Sequence, residues 1–217
     1  MSLKIREKQK LVMIGDSITD TGRAQPIAEG LFDPLGRGYV TMVDALINAT
    51  YPELAIRIVN VGTSGHTTRD LKRRWQTDVL DLKPDWLSIM IGTNDVWRQF
   101  DLPKRTEDHV LPDEYEANYR DIVSRVRPSL KGLVLMSPFF VESNRNDAMR
   151  KRMDEYGQIV KKLAAEYDAV FVDVQAAFDQ VLKVLYSGTL AWDRVHPNQT
   201  GHMVIAKAFL NGVGFTW

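Results

Sequence analysis

The chain has no cysteine in its 217 residues, which excludes a disulfide framework, a thiolate-rich zinc site and a cysteine nucleophile. Any nucleophile must therefore be an oxygen or a nitrogen. Net charge is also missing. The 28 Lys and Arg balance 28 Asp and Glu, so no overall field draws the chain toward nucleic acid or an anionic membrane. Neutral or compact partners are expected, with no nucleic acid and no membrane. No apolar run is long enough to span a bilayer. The charged start MSLKIREKQK leads into only five apolar or small residues before Asp16, too few for the core of a signal peptide. A cytoplasmic location is expected. Repeats, low-complexity tracts and paired ligands of the His-x-x-x-His type are absent too, so no bound metal and no cofactor are expected. The length suits a single domain over residues 1–217.

What is present is a rhythm. Short apolar runs rich in β-branched residues recur at LVMIG (11–15), IRIVNVG (56–62), WLSIMIG (86–92), GLVLMSPFF (132–140) and AVFVDV (169–174). Each is continuous rather than alternating, as strands covered on both faces must be. Between them lie segments with apolar residues three and four apart, such as GYVTMVDALINA, DEYEANYRDIVSRV and DAMRKRMDEYGQIVKKLAAEY. The alternation predicts a five-stranded parallel sheet between two helical layers, a three-layer α/β/α sandwich of the flavodoxin-like type. FDLPKRTEDHVLP (100–112), with two prolines and many charges, reads as a surface insertion.

Ligands of open parallel sheets sit at the carboxyl ends of the strands, where strand order switches direction. Polar clusters stand at those ends: Gly15-Asp16-Ser17, NVGTSGHTT, GTND, and AWDRVHPNQTGH before the last helix. Singly each has a structural reading. Ser17 can be a helix N-cap, Gly62 and Gly65 turn glycines, and Asn94-Asp95 a turn or cap. DRVHP is more pointed, because Pro197 and Asn198 place His196 just before a helix start with Asp193 three residues back. So spaced, the carboxylate can accept the Nδ1 hydrogen and leave Nε2 free as a base, although a buried structural pair fits the same spacing. His109 reads as solvated and His202 as a packing or capping group. His66 stands near the shared edge and can touch substrate or make a plain loop hydrogen bond.

Taken together, GDSITD, NVGTSGHT, GTND and DRVHP resemble, in order and spacing, the four blocks of the SGNH hydrolases, also called the GDSL esterase and lipase family. The match runs from Gly15 to His196. Further stretches, DVWRQFDLP, EYEANYR, MDEYG and LAWDRVHP, are most similar to the bacterial intracellular acetylxylan esterases of that family. Two positions depart from the pattern: Ile18 replaces the leucine behind the GDSL name, and His66 stands where Asn or Asp is common.

The resemblance implies a serine carboxylesterase working through an acyl-enzyme on Ser17, with His196 as general base and Asp193 as its orienting acid. It implies an oxyanion hole made of the Ser17 and Gly65 N–H groups and the Asn94 side chain. It also implies acetylated xylo-oligosaccharides as substrates, with lipid or aryl esters as the alternative, and association into a homo-oligomer, for which Phe215 and Trp217 offer exposed aromatics. Trp97 and Trp192, flanking the polar blocks, are candidate substrate contacts. Asp16 is a candidate either for holding the turn or for lining the cleft. Two other classes compete. Asp16, Asn94, Asp193, His66 and His196 could serve a metal-dependent phosphoesterase. Trp75, Trp86, Trp97, Trp192 and Trp217 could serve a carbohydrate-binding module, though Trp86 opens a strand and reads as core.

Overall fold

The computed structural model describes residues 2–217. The strands are β1 (Lys10–Gly15), β2 (Arg57–Asn60), β3 (Trp86–Met90), β4 (Gly132–Met136) and β5 (Val170–Val172). The helices are α1 (Ser17–Asp20), α2 (Tyr39–Thr50), α3 (Thr68–Trp75), α4 (Thr93–Asp101), α5 (Pro112–Val126), α6 (Ala148–Glu166), α7 (Val174–Val181) and α8 (Gln199–Gly212). The strands form one sheet in the order β2-β1-β3-β4-β5, and every neighbouring pair is parallel. From β1 the chain moves to the edge strand β2 and then returns to lay β3 on the other side of β1. Strand order thus reverses between β1 and β3, and a crevice opens beyond their carboxyl ends.

Strand side chains alternate between two cores, as the two-residue period requires. Leu11 and Met13 face Tyr39, Val43 and Ile47 of α2, Phe178 of α7, and Ile205 and Phe209 of α8. Val12 and Ile14 face Leu71 and Trp75 of α3, Val96 of α4, Tyr115 and Ile122 of α5, and Met153 and Val160 of α6. This is the three-layer sandwich expected from the apolar runs, with the flavodoxin-like strand order. Trp86 is core, as read from its place in the strand. Its ring lies where any side chain on Gly132 would stand, and its indole N–H donates to Gln9 Oε1 at 3.0 Å.

Three local expectations change. The fourth run stops as strand at Met136, because its neighbour β5 has only three residues to pair with. The chain beyond stays extended and buried, held by side chains. Ser137 Oγ accepts from the Val174 and Gln175 N–H groups, and Gln175 bonds both the N–H and the C=O of Phe140. Inside 100–112, α4 continues to Asp101 and Val110 is buried. His109 is half-buried rather than solvated, with Nε2 3.1 Å from the Leu102 carbonyl. Phe215 is buried between Tyr51 and Trp217, so of the two tail aromatics only Trp217 is exposed. Among the described residues no helix is long and apolar enough to cross a membrane.

Candidate active site

The site begins where β1 leaves the sheet. Asp16 caps α1, its Oδ1 accepting the Ile18 N–H at 2.9 Å. The cap role that Ser17 could have filled therefore belongs to its neighbour, and the Ser17 hydroxyl is free for other work. Asp16 is 1% exposed, and burial pushes its carboxyl up to about 6 against the opposing pull of the Ile18 N–H and the charges of His196 and Arg74. It lies beneath the surface, which corrects its candidacy as a substrate contact: Asp16 shapes the turn that carries Ser17. Arg74 steadies this corner from below, donating to the Gly15 carbonyl at 3.0 Å and the Val61 carbonyl at 2.6 Å while pairing with Asp78.

Ser17 Oγ lies 2.9 Å from His196 Nε2, although the two residues are 179 apart in sequence. Asp193 makes three contacts within one short loop, two of them to His196. Its Oδ1 accepts the Val195 N–H at 2.9 Å and the His196 N–H at 2.8 Å, and its Oδ2 sits 2.6 Å from His196 Nδ1. Burial works to raise the Asp193 carboxyl, but the N–H and ring of His196 and the N–H of Val195 outweigh it and hold the group below the usual carboxylate value. An ionised carboxylate only accepts, so it fixes the proton on Nδ1 and turns the Nε2 lone pair toward Ser17. Side-chain exposures of 46% for His196 and 38% for Asp193 exclude the reading as a buried structural pair. Asn198 then caps α8 by accepting the Gly201 N–H, the helix start that the sequence placed here.

Gly65 and Asn94 close the other side. Gly65 is exposed with φ +80°, a left-handed conformation that side chains rarely adopt. Its conformational freedom, rather than a close approach, is what the position needs, since a Cβ there would meet nothing within 4 Å. Asn94 is 3% exposed on the first turn of α4. Its Nδ2 donates to the His66 carbonyl at 3.0 Å, and Arg98, one turn on, donates to its Oδ1 at 3.4 Å. These two contacts fix which end of the amide is the donor and leave its second N–H hydrogen uncommitted. His66 thus contributes its carbonyl here, while burial and then the Arg74 charge lower the pKa of its half-buried ring.

Beneath this wall Asp95 accepts from the Thr68 N–H at 3.0 Å and the Thr68 hydroxyl at 2.6 Å, and Asn118 donates to the same hydroxyl. The start of α3 is thereby tied to the start of α4, setting Gly65 and Asn94 relative to one another. Full burial raises the Asp95 carboxyl to about 7 in spite of these donors. Asp95, the last residue of GTND, reads as a turn or cap in the sequence and in fact ties two helix starts together, and Arg74 stands in no motif. Arg98 is legible in principle, four residues after Asn94 on one helix face. Trp97 stands edge-to-face with the His196 ring at 5.7 Å, whereas Trp192 is 93% exposed. Asp16, Asn94, Asp193, His66 and His196 do not converge as ligands, and among the described residues no three His, Asp or Glu side chains gather to hold a metal.

A serine, an imidazole and a carboxylate in line at the switch point, with free donors opposite, define a site for acyl transfer. The model of the GDSL-like lipase/acylhydrolase family matches residues 13–204, and the chain belongs to that family of carboxylic ester hydrolases. It is 58% identical to the acetylxylan esterase of Geobacillus stearothermophilus over 215 residues, covering 99% of this chain and 98% of that one. The crystal structure of that esterase matches with a TM-score of 0.98 over 99% of this chain and 98% of the other. Structures of its catalytic mutants, with a serine, a histidine or an aspartate replaced by alanine, match with the same TM-score. An alpha/beta hydrolase enzyme from the metagenome of Lake Arreo, Spain, is 50% identical, with a TM-score of 0.95 over 98% of each chain.

Proposed function

We propose that this chain removes acetyl groups from acetylated xylo-oligosaccharides through an acyl-enzyme on Ser17. The observation that carries the reading is the continuous line of hydrogen bonds from Ser17 Oγ through the His196 ring to Asp193, 2.9 and 2.6 Å long. Nε2 takes the Ser17 proton as Oγ attacks the ester carbon, and Asp193 stabilises the imidazolium that forms. Charge growing on the carbonyl oxygen meets the N–H groups of Ser17 and Gly65 and the free amide hydrogen of Asn94. His196 then returns its proton to the departing sugar oxygen, and a water molecule repeats the sequence to release acetate.

Two features favour a short acyl group on a sugar over a fatty acyl ester. The hollow next to Gly65, about 360 Å³, is lined by charged groups including Arg69, Asp70, Arg73, Arg98 and Glu107. A long alkyl chain laid there would strip water from them without offering a partner. The second feature is the likeness to an acetylxylan esterase along nearly the whole chain. The test is a panel of acetylated xylotriose and 4-nitrophenyl acetate, butyrate and octanoate. Acetyl esters are expected to turn over at least about a hundredfold faster than octanoate, the scale of about 3 kcal/mol in the transition state. Rapid cleavage of octanoate with none of acetylated xylotriose would move the chain to the lipolytic side of the family. Exposed Leu31, Phe32, Val184, Tyr186 and Trp192 support self-association of the chain into a homo-oligomer, which light scattering after gel filtration would measure. The cysteine-free composition supports a cytoplasmic location.

A further inference from the structure

Beside the triad runs a groove of about 310 Å³. Trp97 and Phe100 give it an apolar wall above the nearly buried Phe140 and Met149, and carboxylates Asp101 and Asp147 and the guanidinium of Arg194 stand along it. Asp193 itself forms part of the wall. The acyl-transfer mechanism uses none of these except Asp193. Their arrangement follows from the sequence: Trp97, Phe100 and Asp101 share one face of α4, spaced three and four apart. The same helix presents Asn94 to the reaction at its first turn. One short helix thereby carries an oxyanion donor and, a turn later, a flat apolar platform.

We infer that this groove is the subsite for the leaving sugar, holding the xylopyranose ring whose acetylated oxygen is released and the ring next to it. The inference rests on the acyl-transfer reading of Ser17. As the tetrahedral intermediate collapses, the bond from carbon to the sugar oxygen breaks and the proton on Nε2 moves to that oxygen. The leaving sugar therefore lies on the His196 side of Ser17, and the acyl carbonyl lies on the side of Gly65 and Asn94. The groove adjoins His196 through its own lining, since Asp193 bonds the His196 ring and Trp97 stands edge-to-face with it.

Its chemistry suits a neutral pyranose. The C–H faces of the sugar pack on flat rings, and its equatorial hydroxyls donate to carboxylate oxygens at the rim. Arg98 lies over one face of Trp97 and pairs with Asp101, while Arg194 lies over Phe140 and pairs with Glu142. The cations are thus already engaged, and the platform is held rigid before a ligand arrives. Phe100, 39% exposed, offers the open ring.

The test uses xylotriose, which has no ester, as an inhibitor of 4-nitrophenyl acetate hydrolysis. Competitive inhibition of the wild-type enzyme is expected. In Phe100→Ala the inhibition constant should rise about fivefold or more, the scale of losing one aromatic contact, while Phe100→Tyr restores it to within about twofold. The ratio of kcat/KM for acetylated xylotriose to that for 4-nitrophenyl acetate should fall in Phe100→Ala by a similar factor. Thermal melting of each variant checks the fold. Absence of inhibition in the wild type, or an unchanged constant in Phe100→Ala, overturns the subsite. Failure of the wild type to cleave acetylated xylotriose while cleaving the aryl ester overturns the substrate reading instead, and xylotriose inhibition still decides the groove.

Discussion

Replacing Asn94 by alanine separates the reaction from the fold more cleanly than removal of the nucleophile does. The amide spends one hydrogen on the His66 carbonyl at 3.0 Å, and the proposed mechanism assigns the other to the oxyanion. Deleting one such donor removes about 2.7–4 kcal/mol of transition-state stabilisation, a loss of about 10² to 10³ in kcat. The structural cost is smaller. One neutral hydrogen bond to a carbonyl contributes about 1 kcal/mol, and the 3.4 Å contact with Arg98 adds little. For a chain of this size that lowers Tm by about 2–4 °C, so the variant stays folded at assay temperature. KM for 4-nitrophenyl acetate should change by less than about threefold, because the ground-state carbonyl carries little of the charge that the donor meets. Steady-state kinetics and a melting curve on the same preparation test all three numbers. A kcat loss below about tenfold, with melting as expected, refutes Asn94 as an oxyanion donor.

Ser17→Ala should melt like the wild type and lose ester hydrolysis, and a sulfonyl fluoride should add to the wild-type peptide containing Ser17 and to no peptide of the variant; activity surviving in a clean preparation contradicts the mechanism. Asp95→Asn tests the buried carboxyl held up to about 7. Between its ordinary value of 3.8 and about 7 the unfolded chain has lost this proton and the folded chain keeps it, so ionisation of Asp95 erodes stability as pH rises through that window. Asparagine has no such ionisation, so the Tm of the variant minus that of the wild type should grow more positive from pH 4 to pH 8, and a difference independent of pH would contradict the raised value.

The strands and their parallel arrangement were legible because burial on both faces leaves continuous apolar runs, and because strand and helix alternate. Strand ends were less so: nothing in GLVLMSPFF shows that β5 is too short to pair with its second half. In the site, DRVHP and GTND announced residue types whose spacing already suits their partners. Asp16 was harder. Its neighbours in sequence are the same whether it faces the cleft or caps α1, and only its burial, with Oδ1 on the Ile18 N–H, decides. Arg74 lies 13 and 59 residues from the two carbonyls that it joins, and its role depends on the distance between the ends of β1 and β2. Phe215 looked free for a partner because Tyr51, its neighbour in space, is more than 160 residues away.

That nearest-to-farthest assembly divides the machinery in an unusual way. Ser17, Gly65 and Asn94 all precede the exposed turn at Lys104-Arg105, and Asp193 and His196 follow it. The seam between the halves within the sheet is the pairing of β3 with β4. A cut at that turn would put the proposed nucleophile and its anion-binding donors on one fragment and the proposed proton relay on the other. Neither piece alone could turn over an ester, so release of a coloured phenol would report the moment the two halves dock. In the proposed mechanism the same partition leaves Ser17 without its base until the loop before the last helix has been made and folded into place.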